Sequence, residues 1–310
     1  MPARVTHPAL IVTMLALLAG CGGANPSSAS DSSGHGRQGT LRVVAAENFW
    51  GNIATQLAGA RASAQSVIAD PNRDPHSYEP TAADARTMAT AQLAIVNGIG
   101  YDNWAPKLLA ADPASDRVVL TVGNLLGLKE GDNPHRWYSP ANVETVADTI
   151  TADLEKLDPK DALYFEARLR AFDVTALARY HALIAQIKSR YAGVAVGASE
   201  SIFALQAPAL GLNVVTPPNF LKAISEGTDP TAQDKATIDS QIAHRQIKVW
   251  IYNAQNATPD VKRVNQAAQA RHIPITTITE TLTPPGASFQ QWQVGQLQTL
   301  RAALHAATSR

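Results

Sequence analysis

The sequence predicts an α/β fold of two lobes, each a mainly parallel sheet flanked by helices, joined by one long backbone helix. Three observations predict it. From residue 41 short apolar runs alternate with amphipathic ones, the pattern of βαβ units. From Pro159 to Tyr191 the alternation stops, and no Gly or Pro occurs between them. After that the alternation restarts. With 310 residues, 45% of them hydrophobic, the chain is long enough for two cores. Its 26 basic and 26 acidic residues cancel, so no charge excess points to nucleic acid or an anionic surface.

The N-terminus reads as an export device. Arg4 and His7 precede an apolar run at 9–18, and the run ends Leu18-Ala19-Gly20-Cys21. A short positive stretch, about ten apolar residues and small residues at the end describe a secretory signal, expected over 1–21. The run falls short of the roughly twenty residues needed to span a bilayer. Its ending resembles a bacterial lipobox, which makes Cys21 the expected lipidation site. Cys21 is the only cysteine, so no internal disulfide competes for it. Residues 22–40, which include His35, form a Gly/Ser-rich tether with an expected span of about 25 Å. Contact with a membrane is expected through the lipid anchor only, on the extracytoplasmic face.

The first lobe is expected over 41–158. Strands are expected at 41–46, 65–69, 93–96 and 118–122, with helices across 49–58 and from Thr81 through Met88. Ser139-Pro140 and Asp158-Pro159 each read as an N-cap followed by proline at the first helical position. The second of these opens the connecting helix, expected over 159–191. In it Phe165, Leu169, Phe172, Leu177, Tyr180, Ile184 and Ile187 recur every three to five residues, close to a helical stripe. The second lobe, 192–310, has expected strands at 193–197, 213–216, 248–252 and 275–278. Its helices are expected at 201–210, 230–244, 259–271 and 288–307. No sequence repeat relates the lobes.

Ligands of open α/β sheets bind beyond the carboxyl ends of the strands. Four loops there carry side chains suited to a metal ion. They are Asp74-Pro75-His76-Ser77-Tyr78-Glu79-Pro80-Thr81, Asn133-Pro134-His135-Arg136-Trp137, Gly197-Ala198-Ser199-Glu200 and Thr279-Glu280-Thr281. Asp74 and Glu79 are read as holding their own loop through backbone hydrogen bonds. Glu200 also fits a helix-capping role, and Glu280 that of an exposed loop carboxylate. Asn253 and Gln255, after the third strand of the second lobe, face the same end of the sheet and are in position to orient a ligand. Trp137 is the aromatic best placed to shield an ion; Trp50, Trp104, Trp250 and Trp292 read as core or cleft wall. His181, His244, His272 and His305 fall in or beside helices as surface residues.

On these loops the chain from residue 41 onward resembles the zinc- and manganese-type (cluster A-I) solute-binding lipoproteins of ABC importers. Asp-Pro-His-x-Tyr-Glu-Pro-Thr and Pro-His-x-Trp are motifs of that family, and they place its two metal-binding histidines at His76 and His135. A third ligand follows a strand of the second lobe, here Glu200. The fourth is usually Asp, and Glu280 stands there one methylene longer. Zinc-type members often carry a His-rich acidic loop between the first two ligands; none lies between His76 and His135. The resemblance implies metal held between the lobes, limited hinge motion about a rigid helix, a monomer, and a permease as partner. Two imidazoles and two carboxylates suit Zn²⁺ or Mn²⁺, with Zn²⁺ the stronger for equal donors.

Two other functions share these residues. A secreted zinc hydrolase keeps three protein ligands and an open position for water. This chain offers four candidates and lacks His-Glu-x-x-His, Gly-x-Ser-x-Gly and the phosphate-binding Gly-x-x-x-x-Gly-Lys loop, so no enzyme activity is expected. A surface adhesin that also binds metal is the third reading.

Overall fold

In a computed structural model of the chain, residues 40–70, 73 and 78–309 are described. The signal segment, Cys21, the tether to Gly39 and His76 lie outside the described residues. Among those described, no helix is long and apolar enough to cross a membrane.

The first sheet contains β1 (Leu41–Glu47), β2 (Ala62–Ile68), β3 (Leu93–Val96) and β4 (Val118–Thr121), in the order β2-β1-β3-β4. The second contains β5 (Ala195–Ala198), β6 (Asn213–Val214), β7 (Val249–Asn253) and β8 (Ile275–Ile278), in the order β6-β5-β7-β8. All neighbouring strands are parallel, as the βαβ reading requires. The two sheets thus share one topology without a shared sequence. In each, strand order reverses between the first and third strands, and that reversal opens a crevice at the strand ends.

Helices α1 (Asn48–Ala58), α2 (Ala82–Ala89), α3 (Trp104–Ala111) and the short α4 (Val122–Leu125) belong to the first sheet. Next come α5 (Pro140–Leu157), α6 (Ala162–Ala171) and α7 (Ala178–Tyr191). The second sheet carries α8 (Ile202–Leu210), α9 (Pro218–Ser225), α10 (Ala232–Ala243), α11 (Pro259–Ala270) and α12 (Phe289–Thr308). Ser139 and Asp158 take the N-cap positions before their prolines but make no side-chain cap bond, whereas other helix starts are capped. Thr81 and Asp84 make a reciprocal capping box, Ser288 and Gln291 another, and Thr258 caps α11 ahead of Pro259. Each satisfies backbone N–H groups that a helix start leaves open. α3, α4 and α9 have no counterpart in the sequence reading; the first two are short, and α9 lies in the segment after Pro217-Pro218, which reads as loop.

The connecting segment departs from a single helix. Pro159–Asp161 is a 3₁₀ turn and α6 follows, and Phe172–Ala176 is a π-helical turn ahead of α7. The Leu177 N–H donates to the Phe172 carbonyl at 2.9 Å, five residues back. The cause is visible in the apolar stripe. Phe172 and Leu177 are five apart and both buried, so a regular helix would turn one of them to solvent. A turn widened by one residue keeps both inside.

The expectation of two separate cores also changes. One apolar cluster runs through both sheets, joining Val43 and Ala45 of β1 to Val196 and Ala198 of β5 through α5, α7, α8 and α12. Strand side chains alternate in direction. Val44 and Ala46 therefore pack outward with Met88 and Trp104, and Trp250 outward with Phe220 and Val264, as two satellite clusters. Residues 40–310 form one compact unit, since helices that cover one sheet's inner face also touch the other's.

Candidate metal centre

His135 lies after β4 and α4, at the start of a 3₁₀ turn that leads into α5. A wall of aromatic rings holds this turn. Trp137 stacks on Phe49 at 3.7 Å between centroids and meets Trp50 edge-on at 6.4 Å. His135 itself contacts Tyr101 and Trp137 edge-on. Such pairs contribute about 0.5–1.5 kcal/mol each beyond burial, so several together fix the imidazole's position. The ring is fully buried.

Asn133 sets the ring's chemistry. Its Oδ1 accepts from the His135 backbone N–H at 3.1 Å and lies 2.9 Å from His135 Nδ1. Its Nδ2 donates to the Ser201 carbonyl at 2.7 Å, which fixes which end of the amide is oxygen. An amide oxygen only accepts, so His135 presents a proton to it from Nδ1 and turns Nε2 toward Glu280. Nε2 lies 3.4 Å from Glu280 Oε1.

Glu280 follows β8 in a loop pinned from both lobes. Gln255 Oε1 accepts from the Glu280 and Thr281 N–H groups at 2.7 and 3.0 Å. From the first lobe, Trp137 Nε1 donates to the Glu280 carbonyl at 3.1 Å and the Tyr138 hydroxyl to that of Thr279 at 2.6 Å. Asn48 exchanges hydrogen bonds with Leu282. Burial raises the Tyr138 hydroxyl far above its usual range, so it stays a neutral donor. Glu280 is 8% exposed, which excludes the reading as a solvent-facing loop carboxylate.

Glu200 follows β5, and at 2% exposed it is buried as well. Its Oε2 accepts from Asn253 Nδ2 at 3.4 Å. It does not cap α8: Ser201 occupies the N-cap position, with no side-chain cap bond. Ser201 Oγ lies 3.4 Å from His135 Nδ1, which brings the Glu200 loop to the back of the same imidazole. Burying carboxylates without compensation costs several kcal/mol per ion, so two of them at the ends of two strands require compensating groups.

Of the four predicted side chains, the structure thus brings His135 and Glu280 into contact and sets Glu200 one residue from the His135 shell. His76 lies outside the described residues. Among the described residues no three His, Cys, Asp or Glu side chains gather closely enough to hold an ion together. Asn253 hydrogen-bonds Glu200, and Gln255 the backbone of the Glu280 loop. Asn133, Asn48 and Tyr138 were missed as positioning groups, because a lone amide or phenol in a loop carries no periodic signal. The surface placement of His244, His272 and His305 agrees with the sequence, and His181 is half-exposed beside Glu144.

Relatives share this architecture. The chain is 28% identical to the manganese-binding lipoprotein MntA of Halalkalibacterium halodurans over 174 residues, which cover 54% of this chain and 55% of MntA. It is 28% identical to the manganese ABC transporter substrate-binding lipoprotein PsaA of Streptococcus pneumoniae over 181 residues, 53% of this chain and 54% of that one. The chain therefore spans about half the length of these relatives. Among solved structures, the Mn-bound periplasmic metal binding protein of Candidatus Liberibacter asiaticus superposes with a TM-score of 0.71 at 20% identity, covering 85% of this chain and 99% of that one. The solute-binding protein FpvC of Pseudomonas aeruginosa, in complex with Mn²⁺, gives 0.69 at 22% identity over 86% and 99%. Over residues 43–303 the chain matches the family described as zinc-uptake complex component A, periplasmic, and it belongs to that family.

Proposed function

We propose that the protein captures a divalent transition metal outside the cytoplasm and passes it intact to an ABC-type permease, with His76, His135, Glu200 and Glu280 as ligands. One observation carries the reading. His135 Nε2 and a Glu280 carboxylate oxygen face each other at 3.4 Å. Two donors each about 2.1 Å from a tetrahedral zinc are separated by about 3.4 Å. The spacing is therefore that of two ligands with an ion between them. Two histidines and two carboxylates leave the loaded site formally neutral, which suits a buried position.

Zinc is the favoured cargo, since equal donors hold it more tightly than manganese; the manganese named in several relatives makes that ion the alternative. Cys21 anchors the protein to the membrane by lipid alone, and the tether lets it reach its permease as a monomer. Four ligands leave no open position for a reacting water, which separates this reading from a zinc hydrolase. The metal-binding adhesin is distinguished by whether metal is handed on.

The test is a chelator-competition titration with zinc and with manganese on the wild type and on His135→Ala. The wild type should bind one ion and release it unchanged. Loss of an outer-shell partner costs about 10- to 100-fold in affinity, so His135→Ala should lose more than that. One-to-one binding that survives His135→Ala within about threefold contradicts the assignment.

A further inference from the structure

We infer that Asn133 is a positioning residue that joins the hold on the metal to the closure of the lobes; the inference rests on the function proposed above. One side chain makes both contacts. Its oxygen fixes His135 through Nδ1 at 2.9 Å, and its nitrogen donates to the Ser201 carbonyl of the other lobe at 2.7 Å. Ser201 immediately follows Glu200, so the same amide spans the first lobe's histidine and the second lobe's carboxylate.

The surrounding hydrogen bonds give this contact a special place. From the first lobe, Asn133 donates to the Ser201 carbonyl and His135 Nδ1 lies 3.4 Å from the Ser201 hydroxyl. Other hydrogen bonds from the first lobe reach residues 279–296, through Asn48, Asn52, Gln56, Trp137 and Tyr138. The continuous core backs that second set, and it also includes Ala198 and Ile202 on either side of the 199–201 segment. The Asn133 contact instead lies at the edge of a cavity of about 330 Å³ between the lobes, walled by Asn133, His135, Ser201 and Ser225. Ser225 Oγ accepts from the Ser201 N–H at 3.0 Å and pairs with Ser201 Oγ at 2.9 Å, which stiffens the receiving side. Bordered by this open space, the Asn133–Ser201 contact is the one with room beside it to part.

Parting it has two effects at once. Glu200 moves away with Ser201, and His135 loses the acceptor that keeps its proton on Nδ1. Both lower the affinity for the ion. Opening is thereby tied to release, without a wide movement of either lobe.

The test uses the full chain loaded with zinc, measuring affinity by chelator competition and release by stopped-flow chelation. Asn133→Ala removes both contacts and should weaken zinc binding at least about tenfold. Asn133→Asp keeps an oxygen for the ring but offers no N–H to the Ser201 carbonyl. It should recover most of the lost affinity and still release zinc at least about threefold faster than wild type. Zinc-free melting of both variants should stay within a few degrees of wild type.

An alanine variant binding within about threefold of wild type overturns the inference. So does an aspartate variant no better than alanine, or one that releases zinc at the wild-type rate. An affinity loss that merely follows a lowered melting temperature overturns it too. A wild type that binds neither zinc nor manganese would instead contradict the proposed function, leaving this inference without its premise.

Discussion

The crevices of the two sheets are built to one plan and filled with opposite chemistry. In the first sheet, β1 and β3 pair as Val43–Leu93, Val44–Ala94 and Ala45–Ile95. In the second, β5 and β7 pair as Val196–Val249, Gly197–Trp250 and Ala198–Ile251. Two residues beyond the last pair stand Glu47 and Asn97 in one sheet, Glu200 and Asn253 in the other. Each crevice therefore ends in a buried glutamate opposite a buried asparagine.

Their surroundings decide what each glutamate does. Beside Glu47 lies Asp102, whose carboxylate accepts the Asn97 and Gly98 N–H groups at 2.7 Å each. Burial, and then the Asp102 charge, push the Glu47 carboxyl well above its ordinary range. Asn97 turns elsewhere, accepting from Trp50 Nε1 and donating to the Pro134 carbonyl. It thus props the segment that carries His135. Asn253 instead donates to Glu200 Oε2 at 3.4 Å. Matching strand ends supply a buried glutamate twice; beside one stands a donor, Asn253, and beside the other an acid, Asp102, and of these two glutamates the function proposed above uses only Glu200 as a ligand.

The largest expected effect separates the two glutamates directly. Glu200→Gln should weaken zinc binding by more than about 100-fold, beyond what an outer-shell loss costs, whereas Glu47→Gln should leave it within about threefold. Parallel titrations check both, and equal losses would erase the distinction. A smaller effect is expected at Glu280. The charge-keeping Glu280→Asp moves the oxygen by one methylene and should lose less affinity than Glu280→Gln, with Glu280→Ala near the latter. A Glu280→Gln protein within about threefold of wild type would remove this residue from the site.

The smallest effect concerns stability. A carboxyl whose value is raised on folding stabilises most when protonated. The Glu47 contribution is complete below the ordinary glutamate value of 4.5 and is lost as pH climbs through the raised one. Glu47→Gln should therefore flatten the decline of melting temperature from pH 5 to 8, with a gain of a few degrees at the upper end. A variant that melts in parallel with wild type at every pH contradicts the protonated state.

Much of this was legible in the residues. Alternation of apolar runs located the eight strands, since the period of two and the period of 3.6 are written locally. Proline after Ser139 marked the start of α5 for the same reason. The loops carrying His135, Glu200 and Glu280 followed from their place after strands. What could not be read depends on contacts distant in sequence. The π turn at Phe172–Ala176 arises because Phe172 and Leu177 share one core, and the single core itself comes from helices serving both sheets. The bond from Asn133 to Ser201 spans 68 positions, and the partnership of Glu47 with Asp102 requires the fold to bring two acids together.

The central claim is that His135 and Glu280 grip one ion, and anomalous diffraction at the zinc edge from zinc-loaded crystals tests it most directly. The account predicts a single peak about 2.0–2.2 Å from His135 Nε2 and from a Glu280 carboxylate oxygen, with Glu200 and His76 completing the shell. A peak elsewhere on the molecule, or a shell without His135 and Glu280, would contradict it.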